Sequence, residues 1–184
     1  MTNKLDIVWA PWRLSYITAD LEKTKFQPAK EPQIQVLDGG DSQCFICQAV
    51  VDSKQPERFA VGQSKNTIAI LNRYPYNNGH LLIAPKTHCG TLTELSPEIR
   101  AELMEQINDW ILLLEDVLHP EGFNVGLNLG HVAGAGLPGH LHWHIVPRWN
   151  GDVNFMTTIS DSKVIPQSLA ALAEILHART AAKQ

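Results

Sequence analysis

His140-Leu141-His142-Trp143-His144-Ile145-Val146 alternates imidazoles with large apolar side chains. In an extended chain the side-chain period is two, so the three histidines are expected on one face and Leu141, Trp143 and Ile145 on the other. Imidazoles about 7 Å apart along one face converge on a single ligand. The segment ahead of them, Gly130-His131-Val132-Ala133-Gly134-Ala135-Gly136-Leu137-Pro138-Gly139, carries four glycines in ten positions. Such a loop lets backbone N–H groups approach an anion closely.

Outward from this strand the patterns alternate between periods. Residues 123–129 set Phe, Val and Leu against Asn124, Gly126 and Asn128, a second strand half-buried on one face. Residues 59–61 and 67–71 read as two more strands, and 80–84, closed by Pro85, as a third that follows the turn Asn77-Asn78-Gly79 in a hairpin. Ser96-Pro97-Glu98 supplies a cap, a first-turn proline and an early acid. The helix they start places Leu103, Met104, Ile107, Ile111, Leu114 and Leu118 on one face and ends near His119-Pro120. A last helix is expected over 167–182 with Leu169, Leu172 and Leu176 inward. Strands, helix, strands, helix in that order imply an α+β fold: an antiparallel sheet of about five strands with two main helices. Residues 1–43, with the irregular stretch 22–43, read as an N-terminal extension and connector ahead of a domain spanning 44–184.

Composition excludes several classes. The chain has 184 residues, 44% apolar and 18% charged, enough for one domain with a real core. Fifteen basic against 19 acidic residues give no field that would draw nucleic acid or a membrane surface, so any phosphate must be held locally. No apolar run approaches a membrane span and no leader is recognisable, so a cytoplasmic protein is expected. Three cysteines do not suggest a disulfide framework, and Cys44-Phe45-Ile46-Cys47 has the spacing of half a zinc site. A pair of buried thiols is the plainer alternative. Cys89 reads as a packing residue, His119 and His177 as surface residues and His131 as an exposed loop residue.

The histidine run resembles the signature of the histidine-triad family, His-φ-His-φ-His-φ-φ with φ hydrophobic, at all seven positions. Leu71-Asn72-Arg73-Tyr74-Pro75-Tyr76-Asn77-Asn78-Gly79-His80-Leu81-Leu82-Ile83-Ala84-Pro85 resembles a second block of that family, and Asn128 and Pro147-Arg148 match further positions. The resemblance covers roughly residues 44–156. Trp9-Ala10-Pro11-Trp12-Arg13, Arg148-Trp149-Asn150-Gly151-Asp152 and Asn154-Phe155-Met156 look more like the diadenosine tetraphosphate phosphorylase branch than the small hydrolases.

The resemblance implies a homodimer, an adenine nucleotide substrate and a covalent mechanism. His142 would attack the α-phosphorus, His144 would donate to phosphate oxygens, and His140 would do likewise or fix the nucleophile's surroundings. Asn72 matches a sugar-contacting asparagine and His80 a histidine supporting the catalytic strand from behind. Asn128, the backbone at Gly136 and Leu137, and Trp149 are further candidates for nucleotide or phosphate contact. Many family hydrolases carry glutamine where this chain has Gly136, which leaves room for phosphate rather than water as the acceptor. By resemblance to zinc-bearing relatives, His88 and His140 would join Cys44 and Cys47 around a structural zinc; no organic cofactor is implied. Other readings of the same residues are a hydrolase of dinucleotides or phosphoramidates, a nucleotide sensor with negligible turnover, and a metal-dependent enzyme with the triad as ligands. For Trp149 and for Ile68, Ile70 and Leu71, packing is the alternative to base contact.

Overall fold

The computed structural model describes residues 34–153, 157 and 163–182. Of these, 34–152 and 165–182 belong to one compact unit, which carries everything below. The Trp9 to Arg13 motif and Asn154-Phe155-Met156 lie outside the described residues.

The elements in chain order are α1 (Phe45–Val51), β1 (Ala60–Gln63), β2 (Thr67–Leu71), β3 (Leu81–Pro85), α2 (Pro97–Leu118), β4 (Gly122–Leu127), β5 (Trp143–Arg148) and α3 (Leu169–Ala181). The five strands form one antiparallel sheet in the order β1-β2-β3-β5-β4. The expected α+β architecture is therefore present, with two main helices, α2 and α3, and among the described residues one further short helix. The addition, α1, holds the Cys-x-x-Cys pair and has Cys44 at its N-cap without a side-chain cap hydrogen bond. A thiol is no helix-start signal, which is why the sequence did not announce it.

α2 begins as expected, with Ser96 Oγ accepting from the Ile99 N–H and Pro97 in the first turn. His119 closes it in the left-handed region at φ 47°. Its buried residues are Leu103, Ile107, Trp110, Leu113 and Leu114, whereas Met104 is 58% exposed. The inward stripe is centred on the 103, 107, 110, 114 spacing, and Met104 lies about 100° round the helix from Leu103. Together with Leu172 and Leu176 of α3, this stripe covers one sheet face through Leu71, Leu81, Ile83 and Ile145. Gly62 completes the contact: a Cβ there would stand 2.6 Å from Trp110 Cζ2, so the indole lies against bare backbone. On the opposite face Ile68, Ile70 and Ala84 form a second cluster with Cys44, Ile46 and Val36.

β2 and β3 pair from Thr67↔Pro85 to Leu71↔Leu81. The connection is thus the whole segment from Asn72 to His80 rather than a tight turn at Asn77-Asn78-Gly79. Gly79 sits at φ +75°, and a Cβ there would come 2.5 Å from Leu118 Cδ1. The Asn77 side-chain amide secures the loop by donating to the Pro147 carbonyl (3.0 Å) and to Asp152 Oδ2 (2.8 Å). β4 is less buried than its alternation implies, with Val125 44% exposed, because it is an edge strand. Among the described residues no helix is long and apolar enough to cross a membrane.

Candidate active site and metal centre

His144 lies on β5 opposite Leu82 of β3 and Gly126 of β4. Directly paired residues share a face, and Leu82 neighbours Ile70 across β2, so His144 lies on the face away from α2 and α3. Beside it, a Cβ on Gly126 would meet nothing within 4 Å among the described residues.

Regular pairing of β5 starts only at Trp143. Residues 140–142 are held differently, with the Leu141 N–H donating to the Cys89 carbonyl at 2.8 Å. The three imidazoles therefore do not converge on one ligand as simple alternation implies. They divide: His142 and His144 stay together, ring centroids 5.1 Å apart, while fully buried His140 joins the cysteines.

His142 Nδ1 is 2.8 Å from the His140 carbonyl oxygen. A carbonyl only accepts, so Nδ1 carries the proton and Nε2 keeps a lone pair. Burial pushes the His142 pKa below the usual imidazole value, against the opposing pull of that hydrogen bond, so the ring is neutral at pH 7. His80, 1% exposed, uses both ring nitrogens within the chain. Its Nδ1 faces the Tyr76 N–H at 3.0 Å and the Asn72 amide nitrogen at 3.3 Å, so it accepts. The proton is then on His80 Nε2, which donates to His144 Nδ1 at 2.9 Å. In turn the proton of neutral His144 is placed on Nε2. His80 thus joins His144 of the triad strand by a direct hydrogen bond. The Asn72 side chain is oriented by the Tyr74 N–H, which donates to its Oδ1 at 2.9 Å.

Cys44, Cys47, His88 and His140 bring one ligand atom each to within 4.8 Å of one another. His140 Nδ1 lies 3.3 Å from Cys44 Sγ, 3.5 Å from Cys47 Sγ and 3.2 Å from His88 Nδ1, and Cys47 Sγ is 3.3 Å from His88 Nδ1. Metal bonds of about 2.0–2.3 Å at tetrahedral angles give ligand separations of about 3.3–3.8 Å, so the four donors fit a Cys2His2 ion site. The tautomer fits as well. His140 Nε2 donates to the Pro85 carbonyl at 2.8 Å, which leaves the Nδ1 lone pair facing the cluster. Burial lowers the His140 pKa to about 4 and raises that of Cys44 to about 12, so a metal here replaces thiol protons.

Asn128 follows the last residue of β4 and is half-buried; Gly136 is exposed, and Leu137 packs against the Cys44 cluster. Trp149 follows the far end of β5, about 20 Å of extended chain from His142. Its indole N–H donates to the His119 carbonyl at 3.2 Å, a packing role within the chain. Ile68, Ile70 and Leu71 are buried core residues, which removes them as an open base pocket, and His131 is exposed. Cys89 is buried; burial first, then the Glu94 charge, raises its pKa to about 11, which suits an inert thiol.

Sequence reasoning missed two residues at this end of the sheet. Asp152 accepts from Arg148 Nε at 2.6 Å and from the Asn77 amide, tying the 72–80 loop to the end of β5. Tyr76 stacks on His80 and His144. Both sit in irregular segments where no periodicity marks an inward side chain.

Residues 53–151 match the HIT domain family. The chain is 39% identical over 167 residues to a Mycobacterium tuberculosis protein described as AP-4-A phosphorylase, covering 91% of this chain and 80% of that one. A Zn-bound histidine triad family protein from Mycobacterium smegmatis has a similar structure, with a TM-score of 0.61 and 29% identity over 78% of this chain and 97% of that one. A histidine triad nucleotide-binding protein from Sulfolobus tokodaii gives a TM-score of 0.61 and 26% identity over 76% and 92% of the two chains. The triad strand, the loop that feeds it and the sheet that carries both are thus matched in sequence and in structure, and the chain belongs to the HIT family.

Proposed function

We propose that the chain is a nucleotidyl transferase that cleaves diadenosine tetraphosphate to ADP and ATP through a nucleotidyl-His142 intermediate. The observation that carries this reading is the tautomer of His142: a buried, neutral imidazole with Nδ1 committed to the His140 carbonyl and the Nε2 lone pair in reserve. That nitrogen is a competent nucleophile at neutral pH, and dividing one displacement into two suits a stable phosphoanhydride. In the first step Nε2 bonds to the α-phosphorus while the bond to the bridging oxygen breaks and ATP leaves. In the second, an oxygen of inorganic phosphate attacks the same phosphorus, the P–N bond breaks, and ADP leaves with His142 neutral again. His144, bearing its proton on Nε2, donates to phosphate oxygens as negative charge builds, and His140 acts through its carbonyl rather than through its ring. Asn72 and Asn128 line the nucleotide side, with backbone N–H groups at Gly136 and Leu137 near the phosphates.

Phosphate as acceptor is supported by the 39% identity to a protein described as a phosphorylase and by glycine at position 136, which leaves space beside the phosphorus. Incubation with diadenosine tetraphosphate, with and without phosphate, tests it by chromatography. ADP plus ATP, formed only with phosphate, is the expected result; AMP plus ATP at a phosphate-indifferent rate would identify a hydrolase using the same intermediate.

Cys44, Cys47, His88 and His140 would hold a structural zinc, supported by their donor set and by the Zn-bound relative. When bound, such an ion neutralises the thiolates and cross-links α1 to the residues ahead of β5. The chain acts as a homodimer in the cytoplasm. Support for the dimer is the open edge of β4 with Val125 and Leu129 exposed beside it. Support for a reducing compartment is the set of three free thiols.

A further inference from the structure

Tyr76 touches the His80–His144 pair in two ways. Its main-chain N–H donates to His80 Nδ1 at 3.0 Å. Its ring stacks on both imidazoles, with centroids 4.7 Å from His80 and 5.8 Å from His144 and an interplanar angle of 27° to each. The two imidazoles are 5.1 Å apart and tilted by 42°, and His142 stands edge-on to His144 at 5.1 Å. Four rings thus form one continuous group that ends at the nucleophile.

Hydrogen bonds set which atoms of the pair face each other, with His80 accepting at Nδ1 and donating from Nε2 to His144 Nδ1. The Tyr76 ring adds a flat surface against both imidazole planes, and stacked pairs at these separations are favourable in their own right. Tyr76 is itself held, because the loop is closed by the Asn72 side chain accepting from the Tyr74 N–H and by the Asn77 amide on Pro147 and Asp152.

We propose that Tyr76 is a positioning residue: its ring, laid against His80 and His144, holds the two imidazoles so that His144 Nε2–H stays aimed at the phosphorus site through both steps. The part concerning phosphorus rests on the function proposed above; the part concerning ring order does not. An apolar filler of similar volume cannot substitute, because the function is in the flat face rather than in the volume. Tyr76→Phe keeps that face and Tyr76→Leu removes it.

The test measures both variants, alone and in a His144→Ala background, against diadenosine tetraphosphate with phosphate. It also records ring-nitrogen NMR of 15N-histidine-labelled protein without substrate. Tyr76→Leu is expected to lower kcat by about tenfold or more with KM within about twofold, and Tyr76→Phe to restore most of the loss. In the His144→Ala background Tyr76→Leu should add no further loss, because the ring acts through His144. By NMR the wild type and Tyr76→Phe should show His144 as one neutral Nε2–H form, and Tyr76→Leu a broadened or averaged signal. The proposal is overturned if Tyr76→Leu matches Tyr76→Phe in kcat, if its loss persists without His144, or if the His144 signals are unchanged. Should the wild type turn over no dinucleotide, the proposed function fails and the NMR comparison alone decides for or against Tyr76. If Tyr76→Leu does not fold, Tyr76→Met carries the same comparison.

Discussion

His140 and His142 stand two residues apart and hold opposite nitrogens in reserve. His140 gives Nε2–H to the Pro85 carbonyl and turns Nδ1 to the cysteines; His142 gives Nδ1–H to the His140 carbonyl and keeps the lone pair on Nε2. Burial keeps both rings neutral, so charge does not distinguish them. The carbonyl that each ring finds does. A histidine's tautomer is set here by its backbone partner, and the two are joined because residue 140 serves both: its ring faces the cysteine and histidine cluster, and its oxygen fixes the tautomer of the proposed nucleophile.

The sharpest way to break the comparison is His142→Ala. It should cost on the order of 10^4-fold or more in turnover while folding and nucleotide binding persist, since it removes the nucleophile and keeps the pocket. Activity within tenfold of wild type would end the covalent mechanism. On the other side, Cys44→Ser should lower the thermal midpoint by about 10 °C, equivalent to about 3–5 kcal/mol in a chain of this size, before it lowers the specific activity of the folded fraction. Metal analysis of protein purified without chelator should find one zinc per chain, and an empty site with intact stability would make the cluster a packing arrangement. His144→Ala should reduce kcat about 10^2 to 10^3-fold without abolishing it, as expected for losing one donor worth about 3–4 kcal/mol. A loss as complete as that of His142→Ala would make His144 more than a donor.

The smallest expected effect comes from a polar joint outside both sites. Burial would raise the Glu102 pKa, but hydrogen bonds from Ser64 and from the Asn66 backbone and side chain hold it below the usual carboxylate value. A depressed folded pKa contributes stability that is present above the unfolded value of about 4.3 and is lost as pH falls through the folded value. Glu102→Gln should therefore cost about 1 kcal/mol at pH 7, discounted for solvent screening, with kcat unchanged. Melting curves across acid pH should show the difference between the two proteins closing as the wild-type carboxylate protonates. A difference that stays constant with pH would remove the charge from the explanation.

The reading from sequence succeeded where a period or a cap repeats. Ser96-Pro97 started α2 and the alternations marked β4 and β5, because local geometry alone dictates those patterns. It failed where tertiary packing decided. Trp110 shares the stripe of Leu103, Ile107 and Leu114 while Met104 lies off it, and the bare backbone at Gly62 makes the room that a buried indole needs. α1 was invisible because its residues are organised around Cys44 and Cys47 rather than around a cap. For the site, Cys44 and Cys47 were legible from their spacing, and His88 and His140 only through resemblance. The division of the triad was legible only through that same resemblance, since strict alternation predicts one face and the chain enters β5 only at Trp143. Tyr76 and Asp152 also reach partners far along the sequence, His144 and Asn77 respectively, which no local pattern encodes.

Gly126, facing His144 with nothing around the place of a Cβ, has a consequence for substrate size. A hydrogen atom is all that β4 presents beside His144 at that position. An alanine there would meet no neighbour, so it should cost the fold little. On the proposed function, position 126 would act as an aperture stop, each added carbon narrowing what reaches His144 while the chemistry stays as it is.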